Sequence, residues 1–538
     1  MLAMISERRA ELEQQARELH GMKHLTVKDS RYSNLLQTKG RPMSQTRDVT
    51  VSSAPPPPSP PVNRKVDLYD DPSVFDVIDR EAIEVASEDQ STFTELVRQL
   101  TRNCVTDVEK ARVIFRWITV TNLNTMEFNE THVDADTPMG LLRGIKVGTE
   151  SYHVLFRRLC SYAGLHGMVI KGFSKSAGYL PGKKFDDKRF RNTWNAVYVA
   201  GSWRFVQCNW GARHLVNAKD APRPSEQSQV DNLRYEYDDH YFLTDPDQFI
   251  YEFFPCQPEW QLLRHPLALQ QFENLPFVRS LFFKYGLRFA DERQSAVMVT
   301  DAIGAVTARV LMPRALVENL VFHYNLRLEG SDADVMDGVS MRRYVMQTIV
   351  GNSVVFKVHT ALKGRYILDV FANLITAGHN YLTGKPMRFK SVCKLGIACT
   401  HLERSMVPLP DCATGEWGPL KAYKLFGLIP RSHENAVINT GGDVRLSFVM
   451  RRPLRNFQTA LRQNGADEKV LSRYVKKVLT DETVTFDIRF PSDGQYGLDI
   501  YTREVAAAAA DVGADDRGKQ QKQLLTHCCK YLINVRQR

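Results

Sequence analysis

The sequence predicts an α+β protein in which a mixed helical and stranded domain precedes two tandem β-sandwich-like domains. The first observation is a helical period, with apolar residues at offsets 0, 3, 4, 7, 8 and 11 from Tyr152. The second is a pair of strand-like runs at residues 190–198 and 202–211, joined by a turn at Ala200 and Gly201. The third is an internal repeat of alternating apolar residues in the C-terminal half.

The N-terminal region, residues 1–66, is predicted to be disordered. It is polar and then proline-rich, with a run that begins at Pro55, ends at Pro61 and is interrupted only by Ser59. Such a run favours the extended polyproline II conformation. It suits either a passive linker, which is the commoner case, or a ligand of an SH3- or profilin-type partner.

Helical periods continue in the next segment, residues 67–265, which we interpret as one domain. One helix carries four apolar residues at helical spacing, namely Phe93, Leu96, Val97 and Leu100. A second helix is indicated at residues 108–118. The helix with Tyr152 follows next, and after it come the two strand-like runs, the first with Asn192 two residues before Trp194 and the second with Gln207 near its end.

The order of these motifs resembles the transglutaminase-like core of the kyphoscoliosis peptidase (hillarin-like) family. In that family a nucleophilic Cys precedes the helix, a His lies two residues before the strand Trp, and an Asp ends the next strand. The resemblance places Thr149, Asn192 and Gln207 at these three positions. It implies a papain/transglutaminase-like core whose catalytic triad is degenerate.

The three replacements remove the chemistry that such a site needs. A thiol at a helix N-terminus is activated by the helix dipole and by an imidazole that takes its proton, while a carboxylate orients the imidazole. Thr149 ionises far above neutral pH, Asn192 is not a base, and Gln207 carries no charge. We expect Thr149 to act as the N-cap of a helix that begins near Glu150. The sequence therefore predicts a pseudoenzyme with no catalytic residues.

Other cysteines and histidines near these positions are also candidate nucleophiles and bases. Cys160 lies on the apolar face of its helix, which indicates a buried structural thiol. His153 lies on the opposite side of that helix and is expected to be solvated, and His214 is expected in a surface loop. Cys208 should point to the other face of the strand that carries Gln207. We find no other set of Cys, His and Asp in the order along the chain that such a triad requires.

The C-terminal half contains two copies of one pattern. Phe356 matches Phe486 and Tyr366 matches Tyr496, each pair being 130 positions apart. The alternation predicts two β-sandwich domains that superpose on each other, with both tyrosines as corner tyrosines on strands that follow glycine turns.

The domain boundaries follow from these patterns. Residues 266–400 are interpreted as a bridge and the first β-sandwich, residues 401–433 as a linker, and residues 434–538 as the second β-sandwich. A flexible excursion is expected at residues 505–523, before a last strand that carries two adjacent cysteines. Adjacent strand residues point in opposite directions, so a disulfide between these two is not expected.

Composition limits the remaining function classes. The net charge of +10, from 71 basic and 61 acidic residues, is modest for 538 residues and is not gathered in one run, which disfavours nucleic acid as a partner. The nine cysteines show no paired metal-binding spacing, so we expect reduced thiols, no metal and no cofactor. No signal sequence and no apolar stretch of ~18 residues is present, which predicts a cytoplasmic protein without a membrane span.

The resemblance implies a non-catalytic scaffold or adaptor that associates with the cytoskeleton. Its β-domains would bind cytoskeletal proteins of the actin-crosslinker type. The alternative from another class is a cysteine peptidase or transglutaminase-like enzyme with a displaced nucleophile. A third interpretation is a module that uses the old cleft to bind a peptide or a glycan.

Overall fold

The computed structural model describes residues 54–128, 134–185, 188–215, 233–331, 333–375, 387, 389–504 and 525–536. Residues 1–53 and the predicted excursion at 505–523 lie outside the described residues. No helix in the described ranges is both long and apolar enough to cross a bilayer.

The N-terminal half packs helices against an antiparallel sheet. Its helices are α1 (Lys65–Leu68), α2 (Asp76–Val85), α3 (Phe93–Thr101), α4 (Asp107–Val120), α5 (Pro138–Val147), α6 (Tyr152–Tyr162), α7 (Cys208–Ala212) and α8 (Pro246–Phe249). Its strands are β1 (Gly167–Ser174), β2 (Arg191–Val199), β3 (Ser202–Val206), β4 (Arg213–Leu215), β5 (Leu233–Tyr235), β6 (Phe242–Thr244) and β7 (Phe253–Pro255). The main sheet has the order β6-β3-β2-β1-β7, and β4 pairs with β5 alone.

Local sequence explains where the main helices begin. At α4, the Thr106 side chain accepts a bond from the N–H of Glu109, whose carboxylate bonds back to the Thr106 N–H, forming a capping box. The apolar face of α6 that the sequence predicted is buried, from Tyr152 to Cys160. One cluster contains most of the buried apolar residues between Tyr69 and Leu262, whereas Tyr179, Phe185 and Phe190 belong to a second cluster with Phe272 and Phe277.

The prediction of disorder is wrong for the last part of the N-terminal region. Residues 54–66 are described and lie against the first domain. The backbone N–H of Lys65 donates to Asp245 Oδ1 at 2.8 Å, and Trp203 Nε1 donates to the carbonyl of Pro56 at 2.9 Å. The polar composition of this segment hid these contacts, because its partners lie more than a hundred residues away in sequence.

Two β-sandwiches form the C-terminal half, and their strands follow in order. Before and within the first lie α9 (Leu269–Asn274), β8 (Phe277–Val278), α10 (Ser280–Lys284), β9 (Arg288–Phe289), β10 (Val297–Val299), β11 (Ala305–Leu311), β12 (Leu320–Leu328), β13 (Val335–Met336), β14 (Val339–Ser340), β15 (Val345–Val350), β16 (Ser353–His359), β17 (Gly364–Leu374) and β18 (Lys390–Cys399). The second contains α11 (Leu420–Phe426), β19 (Leu428–Pro430), β20 (Val437–Thr440), β21 (Val444–Met450), β22 (Leu454–Gln463), α12 (Glu468–Leu471), β23 (Val475–Leu479), β24 (Thr483–Ile488), β25 (Gly494–Glu504) and β26 (Thr526–Val535).

The sheet topology confirms the repeat. One sheet of the first sandwich has the order β10-β18-β17-β12, and its counterpart in the second has the order β20-β26-β25-β22. The facing sheets are β15-β16-β11-β9 and β23-β24-β21-β19. Phe356 and Phe486 are both fully buried at equivalent places, on β16 and β24. In each sandwich, both sheets contribute to one apolar core.

The predicted corner tyrosines are confirmed in both copies. Tyr366 Oη donates to the carbonyl of Leu362 at 2.7 Å, and Tyr496 Oη donates to the carbonyl of Ser492 at 2.8 Å. Both rings are fully buried, so each hydroxyl depends for hydrogen bonding on the turn that precedes its own strand.

Replacing either corner tyrosine with phenylalanine should destabilise its own sandwich by about 1–2 kcal/mol, because the carbonyl that accepts the bond loses a partner. Thermal and urea unfolding of Tyr366→Phe and Tyr496→Phe would measure this loss. Tyr285→Phe, which removes a hydroxyl outside the two corners, serves as the control. A control loss equal to that of the corner variants would contradict the assigned role.

The predicted linker at residues 401–433 is wrong in its second half. Helix α11 and strand β19 lie within it and belong to the second sandwich, whose core includes Ala422, Leu425, Phe426 and Leu428. Strand β19 pairs with β21 over only three residues, which is too short for an alternating pattern to be recognised in the sequence.

Candidate functional site

Thr149 does not cap the helix that follows it, contrary to the prediction. Helix α5 ends at Gly148, which has a φ of 85°, and helix α6 begins only after Ser151. The N–H groups of Thr149 and Glu150 both donate to the carbonyl of Gly144, at 2.8 and 3.1 Å, and the Thr149 hydroxyl also approaches it at 3.3 Å. Thr149 is exposed, and its contacts close the end of the preceding helix.

Asn192 and Gln207 both form hydrogen bonds with the backbone of Thr193. Asn192, on β2, donates through Nδ2 to the Ser174 hydroxyl at 2.8 Å and accepts from the N–H of Thr193. Gln207 follows β3 and is buried, with Nε2 donating to the carbonyl of Thr193 at 3.2 Å and Oε1 accepting from the N–H of Asn209. The two predicted positions therefore meet around Thr193.

The start of α6 lies against the same strand. Asn195 Nδ2 on β2 donates to the carbonyl of His153 at 3.0 Å. The predicted nucleophile position is thus two residues before a helix N-cap that adjoins the sheet bearing Asn192 and Gln207, while its own polar contacts are with Gly144.

The hydrogen bonds of Gln207 suit an amide and not a carboxylate. Its Nε2 faces a backbone carbonyl, so an ionised Asp in the same pose would place two acceptors together. Asn192 can neither accept a proton at neutral pH nor become cationic. These three side chains can hold the fold locally but cannot move a proton.

The cysteines near the site are buried and protonated. Burial raises the pKa of the Cys160 thiol well above its usual value, and it raises that of Cys208 in the same way, with Cys160 as an additional cause. All nine cysteines carry free thiols. Cys208 begins helix α7 instead of lying in a strand, which corrects the expected orientation, and His214 lies in strand β4 instead of a loop.

A hydroxyl–imidazole pair was missed by the sequence reasoning. Ser151 Oγ lies 3.0 Å from His153 Nε2, although His153 was expected to be solvated. His153 is half-buried, and burial together with Lys171 lowers its pKa, so the ring is neutral at pH 7 and able to accept a proton. The signal was available in the spacing of a serine and a histidine two residues apart at the start of a helix.

No group of three or more potential metal-ligating side chains occurs in the part of the chain that the structure describes. A surface cleft of about 430 Å³ lies between the two sandwiches. Its lining includes four charged residues, Arg343, Asp411, Arg462 and Glu468. It contains none of the predicted site residues.

A buried carboxylate lies at the junction of the first domain and the bridge. Glu252 accepts a hydrogen bond from Tyr241 Oη at 3.0 Å, and Arg279 Nη1 lies 3.9 Å from its other oxygen. Burial raises its pKa to about 7, although Arg279 and Lys175 lower it and Asp238 raises it further. Burial likewise lowers the pKa of Lys175 to about 7.

The raised pKa of Glu252 predicts a pH dependence of stability. Between pH 4.5 and 7 the folded protein holds a proton that the unfolded chain has released, so its free energy of unfolding falls as pH rises through this window. Glu252→Gln should reduce the loss of unfolding free energy between pH 4.5 and 7 by an amount on the order of 3 kcal/mol. Melting temperatures from pH 4.5 to 8 would test it, with exposed Glu259→Gln as the control. An equal slope in both variants would contradict the prediction.

Comparison with known proteins agrees with this architecture. The family model for the immunoglobulin-like domain of KY-like proteins matches residues 269–410 and 421–538. The chain is 60% identical to hillarin of Drosophila melanogaster over 486 residues, which is 89% of this chain and 59% of hillarin. It is 52% identical to the LIM and transglutaminase domain protein of Caenorhabditis elegans over 521 residues, which is 97% of this chain and 70% of that protein.

A more distant similarity extends to vertebrates. The chain is 26% identical to human kyphoscoliosis peptidase over 437 residues, which is 80% of this chain and 59% of that protein. Tandem immunoglobulin-like sandwiches behind a mixed helical and stranded domain define a class of multidomain protein. Within that class, the chain belongs to the hillarin/kyphoscoliosis peptidase-like family, and it spans 59–70% of the length of the relatives named here.

Proposed function

We propose that this chain is a non-catalytic scaffold or adaptor, built on a transglutaminase-like pseudoenzyme domain at about residues 67–265. The observation that supports this proposal is the bonding of Thr149, Asn192 and Gln207 into the surrounding backbone and side chains. In addition, no cysteine thiol is hydrogen-bonded to a histidine ring within the described ranges. A nucleophile and a base within hydrogen-bond reach are the minimum for covalent catalysis.

The purified chain should neither cleave casein nor incorporate a labelled amine into it. Attack needs a group that loses a proton and a base that takes it, and each contribution is typically ~10²–10⁴-fold. Thr149→Cys alone should react with iodoacetamide no faster than exposed Cys256, because it lacks an imidazole. Mass spectrometry of the labelled peptides would measure both rates.

The triple change Thr149→Cys, Asn192→His, Gln207→Asp is the only variant that we expect to alkylate unusually fast at neutral pH. The same triple change with Asn192→Gln in place of His provides the matched control. Activity of the natural chain that iodoacetamide abolishes would contradict the pseudoenzyme proposal.

The proposed partners are cytoplasmic, cytoskeletal proteins of the actin-crosslinker type, bound through the β-sandwiches. The support is architectural, since two successive β-sandwiches offer sheet surfaces on which a partner protein can bind. The full chain should co-sediment with actin filaments that carry a crosslinker and stay in the supernatant with bare filaments. Equal sedimentation in both samples, or none in either, would count against this choice of partner.

A second function, an enzyme with a displaced nucleophile, is favoured only by the Ser151–His153 pair. A neutral imidazole 3.0 Å from a hydroxyl at a helix start has the first two parts of a serine hydrolase site. The two residues lie on one short stretch of chain, and their contact also suits a local turn. A fluorophosphonate probe separates the two functions, because labelling at Ser151 that His153→Gln abolishes would establish the enzyme.

A further inference from the structure

The proline run lies against the first domain at one buried tryptophan. Trp203 Nε1 donates to the carbonyl of Pro56 at 2.9 Å, and the Trp203 side chain is fully buried. Its ring meets Tyr198 and Trp260 edge-on, with centroid distances of 5.5 and 5.2 Å. An aromatic cluster that offers an indole N–H to a proline carbonyl is the arrangement by which aromatic-lined grooves bind polyproline II segments.

Polar contacts fix the position of the segment after the run. Proline has no N–H to donate, so a proline of the run can form a backbone hydrogen bond only through its carbonyl, as Pro56 does. The next N–H, that of Val62, lies 3.5 Å from the Ser202 hydroxyl. Arg204 Nη2 then donates to the carbonyl of Asn63 at 2.5 Å. Three consecutive residues, 202–204, therefore each contact the segment.

The run presents two different sides. Three prolines are half-buried, namely Pro56, Pro58 and Pro61. Three others are exposed, namely Pro55, Pro57 and Pro60. A polyproline II helix has three residues per turn, so prolines 58 and 61 lie on one edge, as in a PxxP ligand. This inward edge belongs to the same residues that the sequence suggested as a ligand for an external partner.

We propose that the surface formed by Trp203, Tyr198 and Trp260 is a binding site for polyproline II segments, and that residues 54–62 are its intramolecular ligand. A covalent tether gives such a ligand an effective concentration on the order of millimolar, which keeps the site occupied. A proline-rich segment of another protein, which has the same chemistry, binds here only after residues 54–62 have left.

The test uses the full chain with residues 54–62 replaced by a Gly/Ser sequence of equal length. The probe is a synthetic peptide with the natural sequence of these nine residues, followed by tryptophan fluorescence and calorimetry. The replaced chain should bind it saturably, and the natural chain should bind it at least tenfold more weakly. No binding by the replaced chain, or equal binding by both, would overturn the proposal.

Two matched peptides test the assigned face. Each has three prolines changed to alanine, so both lose the same polyproline preference. The peptide changed at prolines 56, 58 and 61 should bind at least tenfold more weakly than the natural peptide, while the one changed at 55, 57 and 60 should stay within threefold. Equal weakening would show that no particular face is recognised and would overturn the assignment.

A second measurement applies if the chain with the Gly/Ser replacement at residues 54–62 does not fold. The same two sets of alanines are placed in the natural chain, and proteinase K cleavage within residues 54–66 is timed. The inward set should speed this cleavage at least tenfold over the natural chain, and the outward set less than threefold. Equal rates for both sets would overturn the proposal.

Discussion

Arg112→Ala should cost the first domain about 3–5 kcal/mol of stability, because it removes one partner of a buried ion-pair network. Arg112 is 1% exposed and contacts Asp79 through Nε and Nη2 at 2.9 and 2.8 Å, and it also pairs with Asp239. Burial alone would raise the pKa of Asp239, but Lys65 and Arg112 hold that pKa well below its usual value. Without Arg112, Asp79 is left with Arg116 Nε at 3.7 Å and Asp239 with Lys65 Nζ at 3.1 Å.

The measurement is urea unfolding of the full chain, followed by the fluorescence of the tryptophans in the first domain. Arg98→Ala serves as the control, since Arg98 pairs with Glu95 on the exposed face of a helix, where an ion pair contributes little. It should leave the unfolding midpoint unchanged. An equally small effect of Arg112→Ala would mean that the buried network does not hold α2, α4 and the turn at Asp239 together.

Asp499→Ala should destabilise the second sandwich by a similar amount, about 3–5 kcal/mol. The Asp499 carboxylate is fully buried and accepts from the Ala413 N–H at 3.2 Å and from His527 Nε2 at 2.9 Å. Arg462 Nε lies 3.5 Å away, and Lys530 is opposite on the neighbouring strand. Alanine would leave the buried Lys530 without its cross-strand anion and the Ala413 N–H without an acceptor, while Arg462 would keep its contact with Glu468 at 2.7 Å.

Burial lowers the pKa of His527 to about 4, so the neutral ring donates to Asp499 over the physiological range. Asp499→Asn, which keeps the size and an acceptor, should therefore lose less than Asp499→Ala. Asp487→Ala on the adjacent sheet is the control, because Asp487 pairs with the exposed Arg445. Thermal unfolding followed by near-ultraviolet circular dichroism would rank the three variants, and an effect of Asp487→Ala as large as that of Asp499→Ala would contradict the prediction.

Repetition and periodicity carried most of what could be predicted about the fold. The constant offset between Tyr366 and Tyr496 located two equivalent turns before any contact was known, and the helical period placed the buried face of α6 correctly. Both signals reflect constraints that repeat within a few residues, since a strand or a helix must turn the same side to its core.

The start of α6 could not be predicted in the same way. Thr149 and Ser151 are both favourable N-cap residues, so propensity does not choose between them. The choice depends on Gly148, whose left-handed conformation ends α5 and directs the next two N–H groups to the Gly144 carbonyl. Only after these bonds are satisfied can a new helix begin.

The docked proline run and the buried charges of the second sandwich escaped prediction for another reason. Their partners are 28 to 147 residues away in sequence, and composition alone says that prolines are extended and that charges are solvated. Tertiary contact reversed both expectations. The degenerate triad stays a prediction that depends on residue types alone, since Thr149, Asn192 and Gln207 have no group that exchanges a proton near neutral pH.

The chain between the sandwiches is bonded to both of them. Leu409 N–H donates to the carbonyl of Arg343 at 2.9 Å and Trp417 N–H to that of Gln347 at 2.8 Å, while Gly418 N–H donates to Lys530 at 2.8 Å. If tension is applied along the chain, these bonds must yield before the two sandwiches can separate. We therefore expect the two sandwiches to resist extension as a single mechanical unit, and not as two independent domains.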